Sequence, residues 1–145
     1  MPSYGPEMRG GTANVIVILS TERISSPIIR SFDTAIILNQ QSLDKFENDV
    51  KPGGILIYDS NGLSRQPERK DISIYRVDAV EEAEKLESPR TFNMVILGGF
   101  LKIKPLIKLE NVIEGLKKTL PERYYNLIPV NEKALKRGME IITKV

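Results

Sequence analysis

Three short aliphatic runs, at residues 15–19, 34–38 and 55–58, limit what this chain can fold into. Val15-Ile16-Val17-Ile18-Leu19 has no polar break and is mostly β-branched, and Thr34-Ala35-Ile36-Ile37-Leu38 is nearly as apolar. Continuous rather than alternating apolarity marks strands covered on both faces. Between the second and third runs, Ser42 reads as the N-cap of a short helix over 43–50, with Leu43, Phe46 and Val50 on one face. Lys51-Pro52-Gly53-Gly54 then reads as a turn into the third strand. Strand–helix–strand alternation implies a parallel α/β sheet with right-handed crossovers.

Downstream, residues 63–71 read as a polar surface loop and 72–77 as a fourth strand nearer an edge. An acidic helix is expected over 79–86, ended by Ser88-Pro89. Residues 91–102 carry Phe92, Val95, Ile96, Gly99 and Phe100 at helical spacing, as core or subunit interface. Gly98-Gly99 costs that helix roughly 1 kcal/mol per residue relative to Ala. Close packing against another backbone is the expected compensation. Residues 109–120 form an amphipathic helix, and 130–143 a last one, capped by Asn131 with Leu135, Met139 and Ile142 inward. Residues 1–145 are expected to form a single domain.

The composition removes much familiar chemistry. The chain has no Cys, His or Trp. Without Cys there is no disulfide, thiolate nucleophile or usual iron–sulfur ligand. Without His there is no imidazole base, Ser-His-Asp triad or ordinary zinc site. Catalysis by this chain alone would fall to carboxylates, Lys, Tyr or a bound cofactor. No position is assigned a catalytic or metal-binding role. A net charge of +2 is too balanced to argue for nucleic acid or an anionic membrane. No apolar run approaches the roughly 18–20 residues that span a bilayer, and no secretory leader is visible, so a cytoplasmic location is expected.

The polar segments that flank the strands are the candidates for function. Residues 4–14 hold Gly5, Gly10 and Gly11 together with Glu7, Arg9 and Asn14, and they feed the first aliphatic run. Glycines let a backbone approach a ligand and offer amide donors to anions. Asn39-Gln40-Gln41-Ser42 and Asp59-Ser60-Asn61-Gly62 follow the second and third strands. Parallel strands would bring both clusters to the carboxyl edge of the sheet, where such folds bind ligands; turn and cap chemistry also accounts for these residue types. Lys51-Pro52-Gly53-Gly54 lacks the spacing of a phosphate-binding P-loop. Glu81-Glu82-Ala83-Glu84-Lys85 reads as a solvated helix face.

Pro2-Ser3-Tyr4-Gly5-Pro6-Glu7-Met8-Arg9-Gly10-Gly11-Thr12-Ala13-Asn14 closely resembles a signature of the gamma subunits of 2-oxoacid:ferredoxin oxidoreductases. The resemblance runs on through Ser26-Pro27, Asn39, Ser42-Leu43, Lys45-Phe46, Lys51-Pro52-Gly53-Gly54 and Asp59-Ser60, and returns at Asn93-Met94 and Leu97-Gly98. It implies a three-layer, mostly parallel Rossmann-like sheet with C-terminal helices. It also implies a subunit of a complex that decarboxylates a 2-oxoacid oxidatively, forms acyl-coenzyme A and passes electrons to ferredoxin. Thiamine diphosphate and iron–sulfur clusters would then sit on alpha, beta and ferredoxin-like delta partners, with no cofactor bound by this chain alone. The form of the motif is more similar to 2-oxoglutarate or branched-chain enzymes than to pyruvate enzymes.

In this reading Glu7 and Arg9 anchor contacts while Gly5, Gly10 and Gly11 shape the backbone. Tyr4, Asn14, Asn39, Asp59 and Ser60 complete an interface and ligand-approach set. Members of the family carry a strand, a Gly-rich turn, a helix and a second strand ahead of the signature, about 35–45 residues on the scale of a βαβ unit. That N-terminal portion is expected to be missing here, which would leave the 15–19 run without a neighbour. A stand-alone α/β nucleotide- or anion-binding module and a non-functional fragment are the alternatives.

Overall fold

The computed structural model describes residues 13–24 and 29–145. Most of the signature at 4–14, and the Ser26-Pro27 break, therefore lie outside the described residues. The described sheet has the strand order β1-β2-β3-β4. β1 (Phe32–Ile37), β2 (Val50–Tyr58) and β3 (Ser73–Arg76) are parallel. β4 (Thr143–Lys144) returns antiparallel to β3. The helices are α1 (Gln40–Phe46), α2 (Ala79–Lys85), α3 (Phe92–Ile103), α4 (Leu109–Thr119) and α5 (Ile128–Ile141).

Strand β2 is the wall between two cores. Leu56 and Tyr58 point to one face and join Ala35, Ile37, Leu43, Val50 and Ile74, with Phe46 beside them. Ile57 points to the other and joins Val77, Ala79, Val95, Ile96 and Ala134, with Phe92 and Phe100 packed on it. This is the three-layer arrangement, with α1 on one face and α2, α3 and α5 on the other. Unbroken apolarity in β2 reflects burial on both sides.

The two glycines of α3 have the role expected for at least one of them. A Cβ on Gly98 would lie 2.7 Å from the carbonyl carbon of Leu135 in α5, and closer still to its oxygen. Gly138 of α5 is placed reciprocally against the Val95 carbonyl of α3. The helices cross backbone to backbone, a contact only glycine permits.

Several sequence expectations need correction. The 15–19 run is not a strand covered on both faces: only Val15 forms a bridge, and Val15, Val17 and Leu19 are 67%, 75% and 65% exposed. Two-sided apolarity becomes a buried strand only where both a ladder partner and a cover for each face exist. Ser42 is not the cap of α1; that is Asn39, whose side-chain oxygen accepts from the Ser42 amide at 2.8 Å. Asn39 is extended there, as a cap must be, and the helix starts earlier than its apolar face does.

Lys51-Pro52-Gly53-Gly54 lies inside β2 rather than before it. Phe32 and Thr34 of β1 pair with Val50 and Ile55 of β2, so β2 carries extra residues in a local excursion. Gly53 has φ 76° and its amide donates to the Asp71 carbonyl at 2.7 Å; Lys51 pairs with Asp33 at 2.8 Å. At the other end, Asn131 does not cap α5 but donates from its side chain to the Leu127 carbonyl. The last helix stops at Ile141 because the chain turns into β4, where the Val145 amide bonds Ile74 at 3.0 Å.

Candidate functional site

The parallel strands end together, so their following residues meet at one edge of the sheet. The Asp59 amide bonds the Ile37 carbonyl at 3.2 Å and the Val77 amide bonds the Tyr58 carbonyl at 2.9 Å. These bonds stitch the three strand ends and bring Asp59, Ser60 and Asp78 side by side. A cleft of about 390 Å³ opens there, lined by Asp59, Ser60, Asn61, Asp78, Glu81 and Glu84.

Asp59 is the pivot of this edge and is almost fully buried. One carboxylate oxygen accepts from the Asn61 amide at 3.0 Å; the other accepts from the Val80 amide at 3.1 Å. The side chain thus closes the turn after β2 and ties it to the first turn of α2. Ser60 donates its hydroxyl to Asp78 at 2.5 Å, and the Arg76 guanidinium donates to the same oxygen at 2.7 Å. Burial raises the Asp78 pKa, but the bonds from Arg76 and Ser60 outweigh it and hold this carboxyl below its ordinary value. Asp78 is therefore an anion at neutral pH.

Tyr58 ends β2 on the α1 face. Its hydroxyl is buried without a hydrogen-bond partner among the described residues, and burial pushes its pKa up. It stays a neutral phenol.

The cleft's carboxylates oppose a bare anion and suit a cationic or hydrogen-bond-donating group. Among the described residues, no group of His, Cys, Asp or Glu is arranged to hold a metal ion. With no Cys in the chain, the donor set does not fit an iron–sulfur cluster.

Of the residues singled out from the sequence, Asp59 and Ser60 stand at this edge, and Asn39 begins α1 just beyond β1. Asn14 is half-buried ahead of the Val15 bridge. Tyr4, Gly5, Glu7, Arg9, Gly10 and Gly11 lie outside the described residues. Asp78, Glu81 and Glu84 join Asp59 and Ser60 in the cleft, with Arg76 bonded to Asp78, and the one sequence signal for this group is that Asp78 follows its strand as Asp59 follows β2. The acidic run is not solvated throughout: Glu82 is buried, bonded to Lys85 at 2.7 Å and to Arg137 of α5 at 2.6 Å. Three charges from two helices make that burial tolerable. Gln40 does more than extend a polar cluster. Its side-chain oxygen accepts from the Ser64 and Arg65 amides, at 2.9 and 3.0 Å, and holds the 63–71 loop to α1.

A family model described as pyruvate ferredoxin/flavodoxin oxidoreductase matches residues 1–141. The chain belongs to this family. The ketoisovalerate oxidoreductase subunit VorA of Methanothermobacter thermautotrophicus is 36% identical over 96% of this chain, and the alignment covers 29% of that protein. The 2-oxoglutarate synthase subunit KorC of Methanocaldococcus jannaschii is 31% identical over 83% of this chain and 65% of its own length. The chain thus spans under two thirds of either relative.

Among solved structures, the gamma subunit of a keto/oxoacid ferredoxin oxidoreductase from Geobacter sulfurreducens shares the fold. Its TM-score is 0.72 at 23% identity, over 97% of this chain and 76% of that one. A 2-oxoglutarate:ferredoxin oxidoreductase from Magnetococcus marinus, solved with 2-oxoglutarate, coenzyme A and succinyl-CoA bound, gives 0.62 at 21% identity, over 79% of this chain and 21% of that one. These structures match the α/β architecture with its mostly parallel sheet and C-terminal helices.

Proposed function

We propose that this chain is the gamma-type part of a 2-oxoacid:ferredoxin oxidoreductase and acts within that complex rather than alone. The observation that carries the proposal is the family match over residues 1–141, joined to relatives named as subunits of 2-oxoacid enzymes. The absence of Cys and His supports a role without redox centres. Thiamine diphosphate and iron–sulfur clusters would be held by alpha, beta and delta partners, with ferredoxin as acceptor. Coenzyme A would approach along surfaces to which this chain contributes.

Within that role the 4–14 signature forms an interface and ligand-approach element. Glu7 and Arg9 make its charged contacts, and Asn39, Asp59 and Ser60 complete the set at the sheet edge. The favoured substrate is 2-oxoglutarate. Relatives named for 2-oxoglutarate and for ketoisovalerate make the branched-chain acid the second choice.

The test is co-expression with the alpha, beta and delta subunits. Expected are copurification as one complex and coenzyme A-dependent reduction of ferredoxin, fastest with 2-oxoglutarate among 2-oxoglutarate, ketoisovalerate and pyruvate. A complex that assembles and turns over equally well without this chain would overturn the proposal. Unchanged assembly and turnover in Arg9→Ala would remove Arg9 from it.

A further inference from the structure

Among the described residues, α4 is the one α-helix with no buried residue. Yet Leu109, Val112, Ile113 and Leu116 recur on it at helical spacing. Between α4 and α5 lies a groove of about 350 Å³. Leu109 and Ile113 give it an apolar floor, and Glu110, Glu114 and Lys117 of α4 form one rim. On the α5 side Glu132 and Lys136 pair at 2.8 Å and neutralise each other. The charge pattern of the groove is therefore that of α4.

That pattern is polar along the helix. Along the groove Glu110 of the first turn and Glu114 at mid-helix precede Lys117, with Lys118 beside it in the last turn; Lys108, the N-cap, does not line the groove. A surface acidic at one end and basic at the other complements itself when turned by a two-fold axis. Exposed apolar residues flank the helix in the chain, Leu106 and Ile107 before α4 and Tyr124 and Tyr125 after it. The Tyr125 hydroxyl donates to the Lys117 carbonyl at 2.8 Å, which fixes that ring along the last turn.

We propose that a second copy of this chain docks on this groove, α4 antiparallel to α4, about a two-fold passing between Glu114 and Lys117. Each Glu114 then faces the partner's Lys117. The Leu106–Ile107 end of one copy covers the Tyr124–Tyr125 end of the other. Glu114 and Lys118 also pair within one copy at 2.6 Å, and both are exposed, so the pair is free to be shared across the contact. An 11-residue helix is only about 16 Å long, so the expected dimer is weak and reversible.

Sedimentation velocity of the full chain at rising concentration tests this. Wild type is expected to pass from monomer to dimer. The all-basic variant Glu110→Lys/Glu114→Lys and the all-acidic variant Lys117→Glu/Lys118→Glu should each stay monomeric, and a one-to-one mixture should recover a heterodimer. Circular dichroism checks that each variant stays folded. Gly115→Ala, whose Cβ meets nothing within 4 Å, should dimerise as wild type does. A monomeric wild type at its solubility limit, variants that dimerise alone, or a mixture that stays monomeric would each overturn the proposal.

Discussion

Two glycine-to-alanine substitutions should shift stability in opposite directions. At Gly98 a Cβ would sit 2.7 Å from the Leu135 carbonyl carbon and 2.9 Å from its Cα. Non-bonded carbons attract from roughly 3.5 Å outward and the Leu135 oxygen lies closer still, so α3 and α5 must part by about 1 Å or more. A gap of that size forfeits a quarter to a half of each affected contact. The contacts at stake are made by Val95, Ala134 and Leu135, all fully buried. Backbone cannot rotate aside as a long side chain can, so the overpacking cost should exceed the usual ~1–3 kcal/mol, at about 3–5 kcal/mol, which leaves about 2–4 kcal/mol after the gain of roughly 1 kcal/mol in helix propensity.

At Gly115 nothing lies within 4 Å of the added Cβ. Only the propensity gain remains, about 0.5–1 kcal/mol of stabilisation. For a chain of this size 1 kcal/mol moves Tm by about 4 °C. Gly98→Ala should therefore melt some 8–16 °C lower by calorimetry, and Gly115→Ala some 2–4 °C higher. Equal shifts of the same sign would refute the claim that the α3–α5 crossing requires a bare backbone.

The Glu82 carboxyl is held below its ordinary value of 4.5 first by the Lys85 bond, then by Arg137. A depressed carboxylate stabilises the fold above its unfolded pKa and ceases to as the pH falls through the folded one. The stability lead of wild type over Glu82→Gln, measured by urea unfolding, should thus be full at neutral pH and shrink below about 4.5. The buried Glu47 accepts from the Glu68 amide at 2.6 Å and pairs with Arg65 at 2.9 Å. Glu47→Ala should release the 63–71 loop, and trypsin should cleave after Arg65 and Arg69 several-fold faster with little change in Tm. Asp59→Ala removes two amide bonds at one buried site and should cost about 2–3 kcal/mol, with faster hydrogen exchange at Asn61 and Val80 as its mark.

The strands and helices of this fold were legible where one physical signal dominated. Unalternating aliphatics mark β1 and β2 as strands, but only β2 is covered on both faces: in β1 Ala35 and Ile37 are buried while Ile36 is 40% exposed. The paired glycines point to a backbone crossing that Gly98 makes. Two-sided apolarity at 15–19 carried the same signal as β2 but states only what a segment requires, not whether a partner and cover are present. The cap falls on Asn39 rather than on the expected Ser42 because caps lie outside the apolar period, and both side chains offer a suitable oxygen. The site was less visible. Asp59 and Ser60 were found because turn residues after a strand are conspicuous. Asp78 hid in an acidic stretch, and Glu82 hid among glutamates that do face water. Only the far partner, Arg137, separates a buried glutamate from its solvated neighbours, and it lies 55 residues away.

The excursion at 51–54 has a consequence for how the sheet chooses its alignment. Ile55, Leu56 and Ile57 are close in size and polarity. A slip of β2 by one residue would send each to the opposite core with little change in apolar burial. Hydrophobicity therefore discriminates poorly between the two alignments, although such a slip inverts every side chain of a strand. The choice falls to features that cannot slide. Gly53 occupies a conformation closed to most residues, its amide is tied to Asp71, and Lys51 is tied to Asp33. At the far end the buried Asp59 fits only one position. A segment that reads as a plain turn thus serves as the index mark of the sheet. Substituting Gly53 is expected to yield not simply a weaker protein but a mixture of two alignments, visible as doubled amide resonances for Leu56 and Ile57.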